Sequence, residues 1–453
     1  MSTPTRDLTD FVVNLRFEDI PEGVLERAKD IVLDAIGCAI AGHEGDETSQ
    51  VEPVARALGG PGECTVIAGS TLSPVGATLL NAYLITAVTV CDVHRPTLCH
   101  IAPEVLPPAL AIAEQRPTNG RDLLKALVVG MESATRVGLA MDYPAFRRRG
   151  WHSPGVIGPF GGAAAVGSLL GLDADRQLMA FGLAGSQSAG TFAAWGTPTV
   201  KFHQARAAVS GLLAGLLAEQ GFRASEEILT HPDGGLLKTY ADGGRPAELT
   251  ADLGKRWELE NISLRLWPTA SSIQAVITAV LALVEQHDLS PANVTRVRVG
   301  LSAGVYQMHG EIGWEGKFRA LLSTKYVVAV VLADRQCWLD QFTPERIADP
   351  AVNAFASGQV TIEIDPSVEG TGAVVEMTDT AGRTYVDRRA VPRGDTADPL
   401  SRREIEQKFR LATRGRLSEA GTDRVIDLFS NLEQVASVSE LCQSLRAPAG
   451  VLA

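Results

Sequence analysis

A chain of 453 residues in which 45 % of side chains are hydrophobic and 21 % charged has the composition of a folded globular protein. It is too long for one ordinary core, which predicts two domains. The formal charge of −12 argues against a general nucleic-acid or anionic-membrane surface, since both reward basic side chains, so any cationic site must be local.

The N-terminal MSTPTRDLTDFVVNLRF has no apolar signal core. No later run reads as an uninterrupted span of roughly 18–20 apolar residues, so the expected location is the cytoplasm, without a membrane partner. The six cysteines, Cys38, Cys64, Cys91, Cys99, Cys337 and Cys442, contain no CxxC pair and read as reduced, mostly buried thiols. Cys91 and Cys99 stand near Asp92, His94 and His100. Cys-x2-His followed by Cys-His is not a familiar zinc spacing, so no metal is expected.

Taken in order, Val24, Leu25, Ala28, Ile31, Val32, Ala35, Ile36 and Ala39 recur at three- and four-residue steps and predict an amphipathic helix over 21–42. A Gly/Pro-punctuated stretch with a short strand at Cys64–Ala68 leads to a buried helix over 75–90. Further helices are expected at 103–114, 120–141, 158–170, 174–188 and 205–220, with Asp173 capping the helix at 174. The first 240 or so residues thus read as all-α. Beyond about Leu249 the pattern changes. Alternation at 295–302, 359–364, 373–377 and 384–388 predicts strands, the last two joined as a hairpin through Asp379–Gly382. Helices over 271–286 and 326–333 join them in a smaller α+β unit. Helical periodicity returns over 402–412, 422–432 and 437–445, in segments able to pack back on the first domain.

The stretch from Arg147 to Gly211 is poor in charge and rich in Gly, Ala and Ser. Small residues let helices approach closely, and ionisable side chains standing among them tend to line a cavity. His152, Lys201, His203 and Arg206 stand there, with Asp92, His94, Arg95 and His100 upstream and Arg265, Lys325 and Tyr326 downstream. The plain alternative is structural: a satisfied core histidine, a helix start at Lys325-Tyr326, an Arg206 paired with Glu132 or another acid. No phosphate loop, dinucleotide fingerprint or GxSxG elbow appears. Cationic and hydrogen-bonding groups with few acids suit a small organic acid, whose carboxylates they bind and whose enolate-like charge they stabilise when a neighbouring carbon loses its proton.

The segments LDAIGCAIAG (33–42), NAYLITAVTVCD (81–92), HIAPEVLPPALAIAE (100–114), GWHSPGVIGPFGGAAAVGSLLGLD (150–173), GLAGSQSAG (182–190), KFHQARAAVSGLLAGLLAEQGF (201–222) and LWPTASSIQAV (266–276) together resemble the MmgE/PrpD family. That family includes 2-methylcitrate dehydratase, cis-aconitate decarboxylase and iminodisuccinate epimerase. The resemblance implies a mainly α protein: a large all-helical domain formed by N-terminal and C-terminal segments (1–262 and 400–453) plus a smaller α+β lid domain (263–399). It also implies a site between the two, a homodimer, and neither metal nor organic cofactor.

Carried over by position, His100 matches the family His after the aspartate-rich turn, His152 the His of its Gly-Phe/Trp-His motif and Tyr326 the aromatic after its FSxx segment; the resemblance makes these three the candidate catalytic set, with the two histidines as the proton-transfer pair. Asp92, His94, Lys201, His203, Arg265 and Gln274 fall at substrate-binding positions. The departures are specific. Val90 and Val93 replace flanking acids, His94 stands where Thr or Ser is common, Gln274 replaces a His, and Lys201 is displaced by one residue. The expected activity is a cofactor-independent lyase or isomerase of a small (poly)carboxylate. A dehydratase ranks first and a decarboxylase or epimerase close behind, with a non-catalytic binding or assembly protein as the other class.

Overall fold

The computed structural model describes residues 3–447, and those residues are mostly helical with one small mixed sheet. They form two compact units. The first comprises the described parts of Met1–Ala87, Cys91–Ser263 and Ser401–Ala453, and the second Val88–Val90 with Leu264–Leu400.

The first unit is built from α1 (Glu22–Gly42), α2 (Pro74–Ala87), α3 (Ala102–Gln115), α4 (Gly120–Ala140), α5 (Ser153–Leu170), α6 (Ala174–Ser186) and α7 (Thr199–Glu219). At its centre α5 packs against α3, α4, α6 and α7. Small side chains make this possible: a methyl group on Gly211 of α7 would lie 2.7 Å from the Cα of Gly162 in α5, so the two backbones touch directly. Among the described residues α5 alone has the length and apolarity of a membrane span, and 83 % of it is buried in protein. This corrects the expectation of no span-length run. The Gly and Ala of this helix are small enough to let other helices surround it.

The C-terminal segment returns to α1 through the helix Arg402–Thr413. There Lys408 Nζ reaches Asp34 Oδ1 at 2.5 Å, with both side chains almost wholly enclosed. Ser401 and Glu404 form a reciprocal capping box at the start of this helix, satisfying two orphan backbone donors.

The second unit carries strands β1 (Val294–Leu301), β2 (Val360–Ile364), β3 (Ala373–Asp379) and β4 (Thr384–Arg389) in the order β2-β1-β3-β4. β1 pairs antiparallel with β3 (Val299 opposite Val375) and parallel with β2 (Val299 opposite Ile362). The expected hairpin joins β3 to β4. Asp379 Oδ1 accepts from the backbone N–H groups of Ala381 and Arg383, and Gly382 takes φ +80°, a left-handed turn position that suits glycine. Helices α8 (Gln274–His287) and α9 (Thr324–Asp334) cover this core.

Two helices begin earlier than their apolar periodicity suggests. α5 starts at Ser153 rather than 158 because Pro154 is tolerated in a first turn, where its missing N–H has no partner to lose. α7 starts at Thr199 rather than 205, which places Lys201 and His203 on a helix. The helix Pro4–Asn14, capped by Thr3, carries an amphipathic pattern that the sequence reading passed over.

Candidate active site

His100 is set by the turn between α2 and α3. The hydrophobic N-cap residue Ile101 offers no side-chain oxygen to α3, and Asp92 supplies it instead: its carboxylate accepts from Ile101 N at 2.7 Å and from Ala102 N at 3.2 Å. The carbonyl oxygen of Asp92 lies 2.6 Å from His100 Nδ1. A carbonyl can only accept, so Nδ1 carries the proton, and the neutral ring has its lone pair on Nε2. His100 is half-buried. Its neighbour His94 is fully buried between Thr97 Oγ1 (2.8 Å from Nδ1) and Glu258 Oε2 (3.4 Å from Nε2). Burial holds the His94 ring below its ordinary range, with Glu258 opposing. Both of its nitrogens serve the fold of this turn.

His152 caps the start of α5 and is fastened by the loop 187–192. Its N–H donates to Gly190 O, Ala189 N–H to Gly155 O, and Phe192 N–H to Gly150 O. Arg206 of α7 completes the clamp, donating to the carbonyls of Gly155, Gln187 and Ala189. Arg206 thus binds backbone carbonyls and not Glu132, which holds Arg136 instead. Nδ1 of His152 lies 3.0 Å from Nδ1 of His203 on α7. Burial, then the nearby charges of His203, His100 and Arg147, push the His152 ring down to about 3. A cluster of basic groups that oppose protonation of His152 gains from an incoming anion.

Lys201, two residues before His203 and on another face of α7, reaches Glu47 Oε2 at 3.0 Å, and the same oxygen accepts from Tyr83 Oη. Glu104, which sequence reasoning missed, lies fully buried in the first turn of α3. Cys99 Sγ is 3.6 Å from its Oε2, and burial, then the charge of Asp92, hold its carboxyl well above the usual range. Its sequence signal is an acid in the first turn of the apolar helix that follows His100. Among the described residues no group of three or more His, Cys, Asp or Glu is arranged to hold a metal.

In the second unit, Arg265 Nη1 donates to Thr269 O at 3.0 Å. Gln274 Nε2 donates to Trp267 O and Thr269 Oγ1, so these two residues are brought together about the turn 267–269. Tyr326 lies elsewhere in that unit. It is fully buried, its hydroxyl donates to Gln341 O at 2.6 Å, and its ring packs on Phe342 and Trp314. That is the setting of a core aromatic. His309, also missed, accepts at Nε2 from Ser272 Oγ (2.6 Å) while Nδ1 donates to Leu322 O.

Two family descriptions match: the MmgE/PrpD N-terminal domain over residues 6–248 and the MmgE/PrpD C-terminal domain over residues 267–434. A cis-aconitate decarboxylase of Aspergillus terreus is 31 % identical, the match covering 98 % of this chain and 96 % of the relative. The cis-aconitate decarboxylase-like protein oryM of Aspergillus oryzae is 33 % identical, with 97 % of each covered. The human cis-aconitate decarboxylase is 26 % identical over 98 % of this chain and 95 % of its own length.

Proposed function

Because this chain belongs to the MmgE/PrpD family, we propose that it is a lyase that decarboxylates a small unsaturated polycarboxylate, with cis-aconitate the first substrate to test. The sequence and its family resemblance put dehydration slightly ahead of decarboxylation and epimerisation. The names of the full-length relatives move the support to decarboxylation.

Loss of CO2 leaves an electron pair on a carbon beside the remaining carboxylates. The reaction needs cationic groups to stabilise that charge and an acid to supply a proton to carbon. The observation that carries this reading is that His100 lies near enough to His152 for the two rings to feel each other's charge. His100 has Nδ1 committed to Asp92 O, which makes Nε2 the basic nitrogen of the neutral ring, and its charge opposes protonation of His152. Lys201 is assigned to a substrate carboxylate, which would take the place of Glu47. A bound polyanion raises the proton affinity of both rings, which favours proton uptake from solvent once one proton has been given to substrate.

The test is incubation of the purified protein with cis-aconitate in heavy water, with CO2 release and proton NMR of the product followed together. CO2 release with one deuterium on a product carbon supports decarboxylation. Addition of water, or α-proton exchange without CO2, shifts the assignment to a dehydratase or an epimerase. Binding of candidate acids without turnover favours the non-catalytic reading.

The working unit is proposed to be a homodimer. Phe202, Leu213 and Leu217 lie along one face of α7, with Phe222 just past its end, and all four are exposed. Such a stripe is a surface that a second copy can cover. Light scattering on wild type and a Leu213→Glu/Leu217→Glu variant checks it, a monomeric wild type being the contrary result.

A further inference from the structure

The Nδ1 atoms of His152 and His203 are 3.0 Å apart with ring centroids 5.1 Å apart. Two lone pairs would repel at that distance, and two N–H groups would collide, so one proton lies between the rings. Both rings are buried. Arg147 and His100 near His152, and Arg206 near His203, oppose a positive charge on either. Two neutral imidazoles joined this way must be opposite tautomers, one protonated at Nδ1 and the other at Nε2. Among the described residues neither Nε2 has a protein hydrogen-bond partner.

The surroundings hold the pair in register. His152 N–H is tied to Gly190 O. Gly190 itself takes φ +137°, and a methyl group there would sit 3.1 Å from Nδ1 of His203. Arg206, one turn along α7 from His203, ties the same loop to α5 through the carbonyls of Gln187, Ala189 and Gly155.

We propose that His203 is the positioning residue for His152: the two rings share one bridging proton, and His203 thereby decides which nitrogen of His152 carries the proton given to the substrate. This rests on the reading of His152 as a proton-transfer residue. The step balances. As His152 Nε2–H gives its proton to the substrate carbon, the bridging proton moves from His203 Nδ1 to His152 Nδ1, and His203 Nε2 takes one proton from water, whose hydroxide is neutralised by the released CO2 as bicarbonate. One proton enters, one leaves, and both rings end neutral.

Two measurements separate this inference from the activity it rests on. Long-range proton–nitrogen NMR of the full chain labelled at histidine, with only 8 histidines to resolve, reads the tautomers without any turnover. The expected spectrum has one ring protonated at Nδ1, its partner at Nε2, and a far-downfield bridging proton that disappears in both His152→Gln and His203→Gln. Two rings of the same tautomer, or no bridging proton in wild type, would overturn the proposal even in an active enzyme. Should wild type decarboxylate nothing, the NMR result stands on its own.

In the active enzyme, His203→Asn keeps a hydrogen-bonding amide near the place of Nδ1 but cannot pass a proton through. It is expected to lower kcat by about 10- to 100-fold with KM changed by less than about 3-fold. Wild-type kcat in that variant, or a loss seen in KM alone, defeats the relay.

Discussion

Nδ1 of His100 lies 2.6 Å from the carbonyl oxygen of Asp92, and this contact decides which ring nitrogen can exchange a proton with a ligand. The donor is committed to the backbone, as it is in many catalytic histidines whose partner fixes the tautomer. His100→Asn retains an amide N–H able to reach the same carbonyl but removes Nε2. Its fold, read by circular dichroism and unfolding midpoint, should match wild type, while turnover falls at least about 100-fold. Near-normal turnover would remove His100 from the chemistry.

Asp92 acts one step back. Its carboxylate caps α3 through Ile101 N and Ala102 N while its carbonyl orients His100. Asp92→Ala should lower unfolding free energy by about 1 kcal/mol, the usual loss for a removed N-terminal cap, and should also reduce turnover. Denaturant titration and rate are read on the same preparation. Unchanged stability would mean that the cap is replaced by solvent.

The helices of the first unit were legible because an apolar face repeats locally, and His100 and His152 because each sits in a short distinctive motif. Their partners were not. His203 lies 51 residues from His152, Glu258 164 from His94 and Glu47 154 from Lys201. No local pattern encodes such pairs; they exist only once α5, α7 and their loops are packed. Lys201 and His203 could not be placed on a helix from sequence, since Thr-Pro-Thr-Val weakens the periodic signal just where α7 begins. Tyr326 shows the converse. A position matched to a family motif identifies a residue without showing what its hydroxyl touches, here Gln341 O.

Acid sensitivity follows from the buried rings. His152 is pushed down to about 3 and His309 to about 4, both chiefly by burial. Below the ordinary value of 6.5 the unfolded chain binds protons that the folded rings refuse. Stability from these groups is therefore complete above about pH 6.5 and declines as pH falls toward 4, each ring adding a slope of up to about 1.4 kcal/mol per pH unit. Buried Glu104, with its raised range, works in the opposite direction. The comparison of wild type with His309→Gln isolates the ring: the variant should show the shallower fall in urea midpoint between pH 6.5 and 4.5. Equal slopes would show that His309 titrates normally in the fold.

The return of the C-terminal segment to α1 rests in part on Lys408 and Asp34, whose side chains are 3 % and 1 % exposed. Removing one member leaves an uncompensated charge in the interior. Lys408→Met or Asp34→Leu alone should cost about 3–5 kcal/mol, whereas the double replacement should recover most of that loss. Thermal or urea unfolding of the three variants closes the cycle, and additive losses would rule out direct coupling of the pair.

The last prediction concerns Gly155, where the loop that holds His152 meets α5. A methyl group there would lie 2.2 Å from Ala189 O and 3.4 Å from Nη2 of Arg206. The first of these is a backbone atom that cannot rotate away. Gly155→Ala must therefore push the loop 187–190 off the helix, loosening the Ala189 N–H to Gly155 O bond, the Arg206 clamp and the Gly190 carbonyl that anchors His152 N–H. Overpacking of this kind costs about 1–3 kcal/mol, and here the displaced segment also positions a proton-transfer ring, so turnover should fall further than stability alone explains. Gly23 in the first turn of α1 has open space at the same construction, and Gly23→Ala should be neutral or slightly stabilising. The two variants compared at a temperature where both are folded distinguish local misplacement from unfolding: if Gly155→Ala keeps wild-type turnover there, the loop is not what holds His152 in place.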